Sequence, residues 1–106
     1  MRKITRQAFD AFVAGKSFRK SGNGETETNG EALKLHGNTI AKKDGARVLI
    51  SLAGWNTVTT RERLKPFAPV YQSKHLPYIG DNLIDEKEWY EVGVIYEGKY
   101  HGHYYQ

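Results

Sequence analysis

Apolar residues in the first fifteen positions recur with a helical period. Ala8, Phe9, Phe12 and Val13 make one stripe at spacings of one, four and five, which predicts a helix over residues 6–14. Thr5 is placed to cap it, Ile4 and Phe9 to form a hydrophobic staple, and Gly15 to close it in a left-handed conformation. Residues 17–24, SFRKSGNG, read as a loop with a basic start. The period then changes from helical to two. Asn29-Gly30 between TET and EALKLH predicts a tight hairpin turn, with Leu33 and Leu35 on one face and Lys34 and His36 on the other. Gly37-Asn38 marks a second turn and Asp44-Gly45 a third, with NTIAKK between them and RVLISLA after. Val48, Ile50 and Leu52 share one side of that last segment. The result is an antiparallel meander of three or four strands.

A short second helix follows over residues 60–65. Thr59 and Glu62 have capping-box spacing, Leu64 faces inward, and Pro66 ends the helix because the residue before proline disfavours helical geometry. Arg61, Arg63 and Lys65 are expected at its surface. Beyond it, VYQSK, HLPYIG and NLI read as short strands, and WYEVGVIY (89–96) with KYHGHYY (99–105) as a hairpin turned at Glu97-Gly98. The expectation is one α+β domain over residues 1–106. The two helices pack on one face of a twisted antiparallel sheet, in the order α-β-β-β-α-β, with an added C-terminal hairpin. Removing that hairpin after Glu97 is expected to leave the domain folded, and the outer sheet face or its edge is left for a partner.

Length and composition narrow the function. A chain of 106 residues builds one core but not two, and 39% hydrophobic content makes that core small beneath a polar surface. No apolar run approaches 18 residues, so no membrane span is expected. The basic start MRKITRQAF lacks a following apolar stretch, which points to the cytoplasm. The absence of cysteine excludes disulfides, thiolate metal sites and a cysteine nucleophile. The net charge of +4 is unevenly spread: residues 1–20 and 42–74 each carry +5, residues 81–98 carry −5. Such bipolarity suits a protein partner, self-association or one-sided contact with nucleic acid, without choosing among them.

Candidate chemistry is sparse. His36-Gly37-Asn38 would present an imidazole and an amide to a partner, but the simpler reading is a turn whose glycine and asparagine supply positive φ while His36 packs or bonds to backbone. Gly54-Trp55-Asn56-Thr57 leads into the basic helix and would suit a phosphate, although Trp55 as a core anchor over the sheet is the favoured reading. Lys16, Phe18, Arg19 and Lys20 combine with Trp55, Arg61, Arg63 and Lys65 into a candidate nucleic-acid stripe, DNA or RNA, provided the two clusters share a face; a solvated charged surface is the plainer account. Tyr96, Tyr100, Tyr104 and Tyr105, together with His36 and Asn38, form the candidate partner surface. His101 and His103 would point the same way from a strand, but two ligands do not make a metal site. No serine elbow, phosphate-cradling glycine loop or fixed carboxylate pair appears, so neither an enzyme nor a cofactor is expected.

Five strings in this order carry a resemblance: Ile4-Thr5-Arg6-Gln7-Ala8; Phe18-Arg19-Lys20-Ser21; Leu35-His36-Gly37-Asn38-Thr39-Ile40-Ala41-Lys42; Ser51-Leu52-Ala53-Gly54-Trp55-Asn56-Thr57; and Thr59-Thr60-Arg61-Glu62-Arg63-Leu64. Together they resemble a family of small proteins encoded by tailed bacteriophages. The resemblance covers about residues 3–65, echoes more weakly to Trp89, and departs over 90–106. It implies a phage accessory protein of α-β-β-β-α-β type and no particular activity. The leading expectation is therefore a non-enzymatic phage protein in the host cytoplasm that binds and modulates a host protein or defence complex. A small basic nucleic-acid-binding module is the alternative.

Overall fold

A computed structural model describes residues 2–21 and 25–104. In chain order its elements are α1 (Lys3–Ala14), β1 (Phe18–Lys20), β2 (Thr26–Thr28), β3 (Ala32–Leu35), β4 (Asn38–Asp44), β5 (Arg47–Ile50), α2 (Val58–Leu64), β6 (Val70–Ser73), β7 (Leu76–Ile79), β8 (Asn82–Leu83), β9 (Tyr90–Tyr96) and β10 (Lys99–Gly102). The fold is α+β, with more strands than expected and a second sheet.

The apolar stripe of α1 is buried as its period requires: Ala8, Phe9 and Phe12 all face the core. Gly15 ends the helix at φ 73°, its amide donating to the carbonyls of Ala11 and Phe12. The start differs from expectation. The helix begins at Lys3, with the Arg6 amide on the Arg2 carbonyl at 3.2 Å. Thr5 thus lies inside the helix, buried, and its hydroxyl donates to Glu62 on α2 instead of capping its own turn. A long-range partner has displaced the local cap, and Ile4 packs as a helical residue with no staple.

Seven strands form one antiparallel sheet in the order β1-β2-β3-β4-β5-β9-β10, and β6-β7-β8 form a small second sheet. The expected loop at 17–24 contains the edge strand β1, while residues 22–24 lie outside the described residues. A three-residue edge strand needs backbone pairing and little apolar alternation, so periodicity did not show it. Thr28, Leu33, Ala41 and Ile50 lie in register across four strands and are buried. Register shifts at Leu33/Lys34 and Val48/Leu49 mark irregularities of the kind that curl a sheet. Accordingly α1 touches β1, β2 and β3 near one edge and β10 at the other.

The C-terminal hairpin turns at Glu97-Gly98 as expected, but it is no appendage. Tyr100 enters the core edge-on to Phe9 (5.5 Å between centroids) and Phe67 (5.8 Å), and Phe67 meets Phe9 and Phe12 in the same manner. Its hydroxyl donates to the Phe67 carbonyl at 2.7 Å, with the Val92 carbonyl at 3.1 Å. Gly93 makes room for this ring: a Cβ there would sit 2.6 Å from the phenol and from the His101 carbonyl. Tyr104 packs against the same core. Cutting the chain at Glu97 would therefore empty part of the interior, contrary to expectation.

The second helix spans Val58–Leu64, not 60–65, and Thr57 caps it by accepting from the Thr60 amide at 3.2 Å. Glu62 is turned away from any capping box toward Thr5 and Arg63. The expected surface arginines are buried. Arg63, 1% exposed, is the largest fully buried side chain among the described residues. Its guanidinium donates to Thr26 of β2 (3.0 Å), Thr5 of α1 (3.0 Å) and Glu62 (3.1 Å). Burial lowers its pKa from the usual arginine value, and Glu62 opposes that.

Two outcomes test this core. Replacing Arg63 by Ala strips Glu62 and two threonines of a buried cation and is expected to cost about 3 kcal/mol or more in urea denaturation. A loss below about 1 kcal/mol would mean the cation is no keystone. Burial raises the Tyr100 pKa, so above the unfolded-state value near 10 the unfolded chain loses a proton that the native state keeps. Stability is therefore complete below about pH 10 and falls above it. Tyr100→Phe should show a shallower fall over that range, and identical pH profiles would contradict the assignment.

Candidate functional site

Two of the motifs singled out in the sequence converge. The β3–β4 turn and the segment between β5 and α2 border a cleft of about 360 Å³ lined by Leu35, His36, Asn38, Ile40, Trp55, Thr57, Thr59 and Thr60. Leu35 and Ile40 are core residues and give the cleft an apolar base. None of the lining side chains carries a permanent charge.

Each wall follows from local chain chemistry. The turn lies one residue earlier than expected. His36 and Gly37, not Gly37 and Asn38, supply the positive φ (52° and 81°) that a two-residue hairpin turn of primed type requires. Asn38 already belongs to β4, and the His36 amide donates to the Glu25 carbonyl at 2.8 Å. On the other side Ala53 and Gly54 also adopt positive φ (54° and 84°), closing a turn from the Leu52 carbonyl to the Trp55 amide at 2.8 Å. A left-handed alanine costs of order 1 kcal/mol or more, offset here by Ser51 Oγ accepting from the Ala53 amide and Glu86 O from that of Gly54. This turn swings Trp55 outward. The residue expected as a core anchor is 57% exposed.

Arg61 braces the same loop from behind. It is buried, and its guanidinium donates to Asn56 Oδ1 and to Gln72 Oε1 (3.3 Å), while Asn56 Nδ2 reaches Gln72 (3.4 Å) and the His75 carbonyl (3.5 Å). Among the described residues no carboxylate pairs with Arg61, and burial lowers its pKa from the usual value. The loop bearing Trp55 is thus tied to the β6–β7 hairpin.

The structure separates the two halves of the expected basic stripe. Lys16, Arg19 and Lys20 are exposed at the β1 edge; Phe18 half-buries against the core. Arg19 is paired with Glu25 and Glu27, and the hydrogen bond to Glu25, with the charges of both carboxylates, raises the Arg19 pKa above the usual arginine value. Phe18 and Arg19 line a different groove, of about 400 Å³, with Glu27, Asn29 and Lys34. Arg61 and Arg63 point inward, and Lys65 donates to the Val70 carbonyl at 3.2 Å. Of the expected tyrosine surface, Tyr96 is 66% exposed beside the His101 ring, Tyr100 and Tyr104 pack inward, and Tyr105 lies outside the described residues. His103 bonds Glu91 at 2.9 Å, which with Arg47 lowers the Glu91 pKa. No group of three or more metal-ligand side chains is gathered among the described residues, and no described helix is long and apolar enough to cross a membrane.

The sequence reading missed the outer face of the small sheet. Tyr71 stacks on Tyr78 (5.4 Å), Leu83 pairs with Tyr78, and exposed Leu76 adjoins them at the turn. Alternation along VYQS and LPYI carried that signal, with Val70 and Ile79 paired inward and Tyr71 and Tyr78 paired outward.

The family described as Kyanoviridae Gp96 protein matches residues 1–99. The chain belongs to this bacteriophage family. The match runs well past the residues 3–65 that carried the resemblance. It takes in β9 and the turn after it, so the C-terminal region is family structure up to that point, in keeping with its place in the sheet. No curated protein and no solved structure matches the chain.

The brace on the cleft is open to test. Arg61→Met keeps the buried volume and removes the donors to Asn56 and Gln72. Loss of a charged hydrogen bond, about 1.5 kcal/mol, should speed amide exchange at Trp55 and Thr57 by about tenfold. Unchanged exchange would show that the loop is held by its own turn alone.

Proposed function

We propose that this phage protein works by binding rather than by catalysis, docking onto a host protein or host defence complex in the host cytoplasm and modulating its activity. The observation that carries this reading is the uncharged cleft with an exposed, braced Trp55 at its lip. A tryptophan left more than half in water forgoes burial worth a few kcal/mol, and tryptophan is among the residues that most often dominate interface energies. The surrounding loop is already ordered, so docking loses little conformational entropy. Val58, the first residue of α2, is exposed as well. The same geometry weakens the nucleic-acid alternative, because Arg61 and Arg63 are engaged inside the fold and Arg19 is answered by two carboxylates.

The test is capture from host lysate by tagged wild type and Trp55→Ala, each split into nuclease-treated and untreated halves. The reading expects a stoichiometric host protein that survives nuclease and is lost with Trp55→Ala, whose fold is checked by circular dichroism. Equal capture by the two proteins would overturn the role of the cleft. Recovery of nucleic acid alone, lost at raised salt, would favour the small basic binding module.

A further inference from the structure

Resting on that reading, we propose that the cleft takes one phenolic side chain, a tyrosine presented by the partner, with its ring against Trp55 and its hydroxyl among Asn38, His36 and Thr59. The lining excludes a charged anchor. Seating a carboxylate, phosphate or ammonium there would desolvate it with no permanent counter-charge among the eight lining residues. The base and one wall, Leu35, Ile40 and the indole, ask for an apolar body, and an aromatic ring gains edge or offset contact with Trp55 beyond its area.

The rim decides among apolar groups. The Asn38 amide, the His36 ring, the Trp55 indole N–H and the Thr59 hydroxyl make no hydrogen bond to other described residues. Thr57 and Thr60, by contrast, satisfy each other at 2.9 Å. A leucine or phenylalanine side chain covering that rim would strip water from polar groups and return nothing, which is unfavourable. A phenol carries one donor and one acceptor at the end of a flat apolar body, which matches an apolar base beneath a polar rim. The turns that set His36 and Trp55 are fixed by backbone hydrogen bonds, so this complementarity exists before binding.

The probes are N-acetyl-tyrosinamide, N-acetyl-phenylalaninamide, N-acetyl-leucinamide and adenosine, titrated into the isotope-labelled full chain and followed by NMR. The expected result is saturable shifts at the Trp55 indole and the Asn38 side-chain amide. The tyrosine amide should bind about five- to tenfold more tightly than the phenylalanine amide, as one neutral hydrogen bond allows, and leucine should be weakest. Asn38→Ala should close the gap between the two from both sides, weakening tyrosine, which loses a hydrogen bond, and slightly strengthening phenylalanine, which no longer desolvates that amide. Absence of shifts at the cleft up to the solubility limit, a leucine preference, or tighter binding of adenosine would each overturn the proposal. If Trp55→Ala abolishes lysate capture while no phenol preference exists, only this inference fails. If the phenol binds but capture ignores Trp55, the partner reading fails and the cleft stands as a phenol site.

Discussion

The arrangement of this domain depends on a guanidinium without access to water. Arg63 joins α2 to Thr5 of α1 and Thr26 of β2, so one side chain sets the distance between both helices and one flank of the large sheet. A seven-residue helix has almost no stability of its own, and this one persists because its side chains are fastened on more than one side. Arg61 and Arg63 are two residues apart, about 200° around the helix, and each is buried in a different direction. One anchors α2 to the core, and the other holds the loop that carries Trp55. The cleft is therefore a consequence of how α2 is seated.

The aromatic cluster plays the corresponding part at the far edge. Tyr100 brings β10 against Phe9 and Phe67, and through them against α1. With α1 also touching β1, β2 and β3, the sheet can bend around a single helix without a second helical layer. The pairing of β5 with β9 then brings part of the basic segment beside part of the acidic one. Arg47 bonds Glu91 at 3.2 Å, and Lys42 lies 4.1 Å over the Trp89 ring. Charge that is segregated along the chain is thereby partly interleaved on the folded surface.

Much of the architecture was legible from residues 3 to 100 because it rests on local chemistry. The stripe of α1, Gly15 at its end, the hairpin turns and the alternation of Leu33, Leu35, Val48 and Ile50 all follow from periods and turn residues a few positions apart. The two halves of the cleft were also legible as motifs, His36-Gly37-Asn38 and Gly54-Trp55-Asn56-Thr57. That they face each other across Leu35 and Ile40 was not, since some twenty positions separate them along the chain.

The sequence by itself determined the fold class, most of its elements and the kinship with a phage family. It could not determine which polar side chains turn inward. Arginine at a helix surface and tryptophan over a sheet are sound expectations from average burial, and both were reversed here. Burial of a charge depends on whether acceptors from distant segments meet around it, and Thr5, Thr26 and Glu62 do so only once the chain has folded. Exposure of Trp55 depends likewise on a left-handed Ala53 stabilised by Ser51 and Glu86. Those are decisions of tertiary structure, because their energies belong to pairs of residues far apart in sequence.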